Sequence, residues 1–84
     1  MELRIITPQH IQKYTVTWID LYTPEGNLII QPNHAPAIFI LSPGKEVTFC
    51  LKNGKQESIM VTQGLIEIMR THATLLINKI TPSV

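Results

Sequence analysis

The side chains with the greatest potential for chemistry are three histidines, one cysteine and six carboxylates, in a chain of 84 residues. The histidines are His10, His34 and His72, and no cysteine or acidic residue accompanies them at the spacing of metal ligands. A zinc site needs three or four such ligands that converge on one point. The sequence therefore predicts no metal site.

Groups that could act as nucleophiles or acid–base catalysts are equally scattered. Cys50 has no histidine near it in sequence, and the serines at positions 42, 58 and 83 lack the elbow motif of hydrolases. The carboxylates are spread along the chain, and the four glycines stand alone and form no phosphate-binding loop. A triad can converge from distant positions, but the sequence shows no apparatus for catalysis and no motif for a cofactor.

An aromatic series is the next candidate site. Tyr14, Trp18 and Tyr22 are spaced four residues apart and would line one face of a continuous strand. Such a stripe can stack nucleic-acid bases, or it can pack against a core or a partner subunit. The net charge is only +1, Lys13 is the one cation nearby, and Asp20 interrupts the stripe. Because stacking without cations holds a polyanion poorly, no nucleic-acid partner is expected.

The elements that must position these residues are β-strands. Ile, Val and Thr are abundant, and no segment keeps the helical spacing of apolar residues over three turns. Turn signals such as Pro43-Gly44 recur about every 8–12 residues, a spacing typical of a β-sandwich or β-barrel. With 44% hydrophobic and 15% charged residues, the composition indicates a packed globule, and the length leaves room for one domain.

Two local patterns predict details of the strands. Asn53-Gly54 predicts a type I′ hairpin turn between residues 47–51 and 57–61, with Cys50 as a small, half-buried side chain. In residues 13–23 the apolar positions change phase by one residue after Trp18. This change predicts a bulge or bend at which the strand passes from one sheet to the other.

A proline-rich loop lies in the middle of the chain. Residues 31–44 contain three prolines and a glycine around a short apolar run, and His34 lies between Pro32 and Pro36. A residue before proline is pushed toward extended backbone, so this loop cannot easily be helical. It is either a tight corner in which His34 satisfies backbone groups, or a preorganised docking loop that loses little entropy on binding.

Compartment signals are few. A single cysteine excludes an internal disulfide framework and fits a reducing environment. Residues 1–10 include Glu2 and Arg4 and lack the unbroken apolar segment of a signal peptide. No apolar run approaches the roughly 18 residues that a membrane helix needs, so we expect a soluble, intracellular chain.

Taken in order, several segments resemble one family. PEGNLIIQPNHAPAI (residues 24–38) resembles the EGELGILPxHAPLI segment in the epsilon subunit of rotary ATP synthases, called delta in mitochondria. MELRIITP (residues 1–8) resembles the opening strand of that family, and LSPG (residues 41–44) the turn after its histidine loop. NGKQESIMVTQGLIEI (residues 53–68) is similar to GxxExIxVSGGFLEV, and ATLLIN (residues 73–78) to VTVLAD.

The resemblance implies an all-β domain over residues 1–84, a two-sheet β-sandwich of short, mostly antiparallel strands. In that family the domain binds the gamma subunit of the central stalk and lies on the c-ring, without catalysis or a cofactor. By position, residues 25–34 would face the c-ring and the strand around Phe39 would lie near gamma. The partner contacts expected from the resemblance are Asn27, Ile29, Gln31, Asn33, His34 and Phe39. Such a chain would be peripheral, on the cytoplasmic side of the inner or plasma membrane, and held there only by the complex.

The sequence also departs from the family pattern. Asn27 stands where an acidic residue is usual, which argues against a charge contact with the ring. Ile29 replaces a glycine, Gln31 replaces an apolar residue, and Gln63-Gly64 replaces a double glycine. The sequence stops at residue 84, where the helical hairpin of the family would begin, and a short form without that hairpin or a fragment would both fit.

Two functions follow as hypotheses. The first is a non-catalytic central-stalk subunit of a proton- or sodium-translocating ATP synthase, which couples gamma to the c-ring. The alternative is a divergent paralogue with the same sandwich that binds another protein outside that complex. The first predicts an exposed apolar strand face that needs a partner. The second predicts a different contact face, because Asn27, Ile29 and Gln31 would no longer suit the ring.

Overall fold

The computed structural model describes residues 1–80, with side chains through residue 78. Seven β-strands and no helix form in these residues, which confirms the predicted all-β class. The many β-branched residues explain this preference, because their side chains pack well on a pleated, half-buried surface. The strands are β1 (Glu2–Ile6), β2 (Ile11–Thr23), β3 (Gly26–Ile30), β4 (Ala37–Ile40), β5 (Lys45–Leu51), β6 (Gln56–Ile68) and β7 (His72–Ile80).

Five strands form a closed circuit of hydrogen-bonded neighbours. The order is β1, β7, β6, β5 and β2, and β2 pairs back to β1. β3 extends the circuit from β2, and β4 extends it from β6. Within the described residues β1 and β7 are the one parallel pair, so the prediction of mostly antiparallel strands is confirmed.

Two long strands divide the circuit into two layers. β2 and β6 each have 13 residues and are the longest of the described strands, whereas the other five have 4–9 residues. The layer we call the β5 sheet contains β5, β3, residues 16–23 of β2 and residues 56–61 of β6. The β7 sheet contains β7, β1, β4, residues 11–15 of β2 and residues 64–68 of β6.

A bulge in β2 marks the passage between the layers. The register with β5 shifts between Val16 and Trp18, as the phase change in the sequence predicted. Val16 is buried before the bulge, and Ile19 and Leu21 are buried after it. Tyr14 therefore lies toward the core while Trp18 lies on the other side of the strand, so the three aromatics form no common stripe.

β6 makes the same passage where its register with β7 shifts, between Val61 and Gly64. Gly64 is required there by space and not by an unusual φ. A Cβ atom on this residue would lie 2.7 Å from the backbone oxygen of Leu76 and 3.2 Å from a methyl group of Val61. Where the resembled segment has two glycines, this chain has Gln63-Gly64, and position 64 is the one at which the close approach of β7 demands glycine.

The core between the layers is almost entirely aliphatic. Phe49 is its largest buried side chain, and the ring of Tyr14 packs against it at a centroid distance of 5.0 Å. Among residues with described side chains, no polar or charged one is buried. Burial of apolar surface, and not an internal polar network, therefore stabilises the fold.

The hairpin between β5 and β6 forms where Asn53-Gly54 predicted it, but the turn type is different. Only Gly54 has a positive φ, of 91°, whereas a type I′ turn needs two such residues. The Gly54 N–H donates to the Leu51 carbonyl at 2.8 Å, and the Leu51 N–H donates to the Lys55 carbonyl at 2.7 Å. This is a three-residue loop closed by a glycine bulge, and the side chain of Asn53 stabilises it by accepting from the Lys55 N–H at 2.9 Å.

Candidate partner-binding surfaces

Three of the predicted contact residues lie on one side of β3 and of the residue that follows it. Asn27, Ile29 and Gln31 alternate along the chain and are all exposed, while Leu28 and Ile30 between them turn toward the core. A strand places every second side chain on the same face, so the three departures from the family pattern form one outward surface. We call Asn27, Ile29 and Gln31 the β3 surface.

Asn27 is already committed to contacts inside the chain. Its side-chain amide donates to Oδ1 of Asp20 and, at 2.9 Å, to the backbone carbonyl of Leu21. A carboxylate at position 27 would have no proton to donate and would face the carboxylate of Asp20. The asparagine is thus matched to its neighbour on β2, and it offers a partner its side-chain oxygen and no charge.

The loop after β3 is fastened to the turn between β6 and β7. Asn33 has a φ of 69°, a left-handed conformation that asparagine tolerates better than most residues. Its N–H donates to the carbonyl of Arg70 at 2.9 Å, and the Arg70 guanidinium donates to the carbonyl of Asn33 at 3.5 Å. The His34 N–H donates to the Gln31 carbonyl at 3.3 Å and closes the turn.

His34 has a structural environment within this loop. Its Nδ1 lies 2.6 Å from the Ala35 carbonyl, so the tautomer with a proton on Nδ1 donates there. The half-buried ring meets the ring of Phe39 edge-on, with 6.4 Å between centroids. These contacts favour the interpretation in which His34 satisfies a backbone group and shapes the loop.

Phe39 lies on the inner side of β4. It is half-buried and packs against the core, whereas its neighbours Ile38 and Ile40 are 65% and 62% exposed. A partner that reaches this strand would meet the two isoleucines first. The expectation that the strand around Phe39 contacts a partner stays a prediction, and Ile38 and Ile40 are the side chains available for it.

The six expected residues therefore do not form one cluster. Asn27 and Phe39 line the same open groove of about 480 Å³ between β3 and β4. Asn33 and His34 lie past the other end of β3, which rises about 3.3 Å per residue and separates them from Asn27. A partner that contacts all six would have to cover the length of this strand.

A second exposed surface was missed from the sequence. Register pairs Ile40 with Leu65, Leu65 with Leu76, Leu76 with Ile6, and Ile6 with Ile11. Paired residues share a sheet face, so these five side chains form one line across five strands of the β7 sheet. Ile40, Leu76 and Ile11 are exposed, and Leu65 and Ile6 are half-buried. We call Ile40, Leu65, Leu76, Ile6 and Ile11 the apolar row.

Adjacent apolar residues were the sequence signal for this row. Ile5-Ile6, Leu65-Ile66 and Leu75-Leu76 each place one of their two apolar side chains in the core and the other on the outer face. A strand that is apolar on both faces is typical of a sheet covered on both sides. This pattern indicates that the outer face of the β7 sheet needs a cover that the described residues do not supply. An exposed apolar strand face is also what is expected of a central-stalk subunit.

Potential metal-ligating side chains do not cluster in the described residues. Within residues 1–80, no three histidine, cysteine or acidic side chains lie close enough together to hold a metal ion. Cys50, expected to be half-buried, is only 8% exposed. The same part of the chain contains no helix with the length and hydropathy to cross a bilayer.

The described residues thus form a small, closed β-sandwich domain with an apolar row on one outer face. Comparison with known proteins gives the family: a model of the β-sandwich domain of the ATP synthase delta/epsilon chain matches residues 1–83. The chain belongs to this family of ATP synthase delta/epsilon chains.

Three relatives with similar sequences are named ATP synthase epsilon chain. An ATP synthase epsilon chain from Nitratiruptor is 30% identical over 98% of this chain and 64% of its own length. Epsilon chains from Chloroflexus aggregans and Paracoccus denitrificans are 32% and 34% identical over 90% of this chain, and over 54% and 51% of their own lengths. The chain thus spans between half and two thirds of the length of these relatives.

Solved structures show the same fold. A chain in the central stalk and c-ring structure of the Tetrahymena thermophila mitochondrial ATP synthase superposes with a TM-score of 0.80 at 19% identity, covering 96% of this chain and 65% of that one. A chain in the Euglena gracilis mitochondrial ATP synthase gives 0.84 at 18% identity, covering 95% and 51%. At these identities the likeness establishes the sandwich fold.

Proposed function

We propose that the chain is a non-catalytic rotor component in the central stalk of a proton- or sodium-translocating ATP synthase, where it couples the gamma subunit to the c-ring. Membership of the delta/epsilon family supports this role, as do relatives named ATP synthase epsilon chain. A structural neighbour from a central stalk and c-ring assembly supports it as well. In this role the chain is peripheral to the membrane, on its cytoplasmic side, and is held there by the complex.

The observation that carries the proposal is the apolar row. A rotor subunit transmits torque through surfaces that stay packed, and large exposed apolar patches on small proteins mark such interaction sites. A hollow of about 370 Å³ lies along the row between Ile40, Leu65 and Leu76 and can receive a partner's side chain. We assign the row to the gamma subunit, since it includes β4, the strand expected near gamma.

We assign the β3 surface and the loop with Asn33 and His34 to the c-ring. Two prolines and the Asn33–Arg70 contacts hold this loop in place before any partner arrives. A loop ordered in advance loses less conformational entropy on docking. The side-chain amide of Asn27 already donates to Asp20 and Leu21, so the contact with the ring is uncharged at this position.

Recovery of the complex from native membranes tests both assignments. Ile40 and Ile29 are matched isoleucines, 62% and 56% exposed, on the apolar row and on the β3 surface. A tag at the carboxyl end avoids Met1, whose amino group donates to the Val16 carbonyl at 3.1 Å. The wild-type chain is expected to recover gamma together with the catalytic subunits and the c subunit, identified by mass.

The two variants separate the surfaces. Ile40→Glu should lower gamma recovery at least about tenfold, because it buries a charge against an apolar partner surface. Ile29→Glu should keep gamma and lower recovery of the c subunit. Gamma recovery unchanged in folded Ile40→Glu would remove the apolar row from that interface. A wild-type chain that recovers no ATP synthase subunit would overturn the proposed function.

A further inference from the structure

The outer face of the β7 sheet fits a second copy of the same chain. We propose that the free chain forms a symmetric dimer in which two apolar rows pack against each other around a two-fold axis parallel to β7. This inference concerns the chain without its partners and goes beyond the proposed function. It follows from the register of five strands and from the charges beside the row.

The apolar row is long enough to pair. Strands in a sheet lie about 4.8 Å apart, so five strands place Ile40 and Ile11 about 19 Å from each other. Leu76 on β7 is the middle residue, with two apolar side chains on either side of it. Face-to-face packing of sheets leaves them about 10 Å apart, a gap that Leu and Ile side chains from both faces fill.

An axis parallel to β7 reverses the row of the second copy. Leu76 then packs on the Leu76 of the second copy. Leu65 packs on its Ile6, and Ile40 on its Ile11. Each contact occurs twice except the one on the axis, which is the self-complementary pattern of a two-fold interface. No apolar member of the row is left facing a polar group.

The neighbouring line of residues makes this orientation specific. Two strand positions away from the apolar row, register aligns Ile38 with Glu67, Glu67 with Thr74, Thr74 with Arg4, and Arg4 with Lys13. Reversal around Thr74 places Glu67 opposite the Arg4 of the second copy, and Arg4 opposite its Glu67. The symmetric dimer thus gains two ion pairs of opposite charge.

Arg4 has hydrogen-bond donors to spare for this contact. Its side chain is 43% exposed, and its ion pair with Glu2 is long, at 3.7 Å. An arginine can bind a carboxylate through two parallel N–H groups, which is stronger than a single contact. Glu67 is exposed, and no ion pair within the described part of the chain includes it.

The other in-plane axis explains less. An axis along the row would place each residue of the row opposite itself. The line with Glu67 and Arg4 would then lie over the opposite flank of the row, where Gln63 and Asn78 are exposed. No ion pair forms in that arrangement, so the charges favour the axis parallel to β7.

The expected dimer is weak and exchanges readily. The apolar row and the neighbouring line with Glu67 and Arg4 form a small interface, whose buried area is below the roughly 1,200 Å² of standard protein complexes. The dimer covers the same residues that we assign to gamma, so self-association and gamma binding exclude each other. A weak dimer shields the apolar row in the free chain and releases it to a stronger partner.

Sedimentation equilibrium on the purified chain tests the proposal through charge complementation. The wild-type chain should shift from its 9.5 kDa monomer toward twice that mass as concentration rises. Arg4→Glu alone and Glu67→Arg alone should each weaken association at least about tenfold, because both contacts become repulsive. An equimolar mixture of the two variants should associate again. In the mixed dimer the two introduced side chains, of opposite charge, face each other at one contact, and the native Arg4 and Glu67 face each other at the other.

The controls address folding and location. Circular dichroism checks that each variant keeps its strands, and Leu76→Glu provides a second break on the axis itself. Lys55→Glu changes an exposed charge on the hairpin of the β5 sheet and should leave association unchanged. A wild-type chain that stays monomeric at about 1 mM overturns the dimer, as does a mixture that fails to associate although both variants fold. Neither result bears on recovery of the ATP synthase subunits.

Discussion

The two outer faces of the sandwich follow the same alternation of side chains but differ in chemistry. On the β5 sheet, polar groups find partners within the chain: Thr48 and Ser58 share a hydrogen bond of 2.8 Å, and Asn27 donates to Asp20. On the β7 sheet, the corresponding positions carry the apolar row. The difference is that these polar side chains of the β5 sheet are satisfied within the chain, whereas the apolar row is left uncovered by the described residues.

Tyr22 is a further side chain on the β5 sheet that is partly covered from within the chain. The ammonium group of Lys45 lies 5.5 Å from the ring centre of Tyr22, a contact that covers part of the ring. The apolar row has no cation or aromatic ring over it among the described contacts. Contacts within the chain, and not exposure alone, therefore distinguish these side chains of the β5 sheet from the apolar row.

The largest effect on stability is expected at Gly64, where β6 passes from one sheet to the other, because a change there disturbs both sheets. Gly64→Ala places a methyl group 2.7 Å from the backbone oxygen of Leu76. Backbone must shift to accept it, so we expect a loss of about 1–3 kcal/mol in the free energy of unfolding. Chemical denaturation measures this loss. Gly54→Ala is no suitable control because of its positive φ, whereas exposed Gln63→Ala should stay close to wild type.

An intermediate effect is expected on the polar face. Asn27→Asp removes the donor to Asp20 and sets two carboxylates side by side, which should cost about 1 kcal/mol. Asp20→Asn in the same chain should restore part of that loss, because one amide can again donate to one carboxylate, while the bond from position 27 to the Leu21 carbonyl stays absent. Denaturation midpoints of the two single variants and the double variant measure the coupling. Additive losses would show that the two side chains do not interact.

The smallest expected effect lies on the apolar row. Ile40→Thr removes an exposed apolar side chain from an edge strand, so the free energy of unfolding should change by no more than about 0.5 kcal/mol. Binding of a hydrophobic dye should fall at the same time, as apolar surface is lost. A clear loss of stability would mean that the row belongs to the core of the single chain, and the contrast between the faces would disappear.

Much of the fold could be predicted because its signals are local. The bulge in β2 is indicated by the phase change of apolar positions after Trp18, and the hairpin is indicated by Asn53-Gly54; both signals lie in neighbouring residues. The turn type could not be predicted, because the dipeptide Asn53-Gly54 is compatible with more than one hairpin turn. The turn that forms is stabilised by the contact between the Asn53 side chain and the Lys55 N–H. The length of β6 was hidden as well, since Gly64 looks like a turn residue until β7 is seen beside it.

The surfaces depended on long-range register and were harder to predict. The family resemblance led to Asn27, Ile29 and Gln31, which the structure places on one side of β3. It gave no reason to join Ile6 to Leu76 or Ile40 to Leu65, because these pairs meet only when distant strands align. Alternation can tell which side of a strand a residue occupies, but the neighbours on that side come from the pairing of strands.

The parallel pairing of β1 with β7 has a consequence for the time course of folding. Each residue of β1 meets a partner 70 positions later, from Glu2 with His72 to Ile6 with Leu76. During synthesis, β1 can pair with β2 early, but its other edge stays open until β7 has left the ribosome. Closure of so long a loop is slow compared with hairpin formation, and proteins rich in such contacts fold in about milliseconds to seconds. The nascent chain therefore carries an unpaired strand edge from the synthesis of β1 until that of β7, and open strand edges are sites at which chains pair with one another.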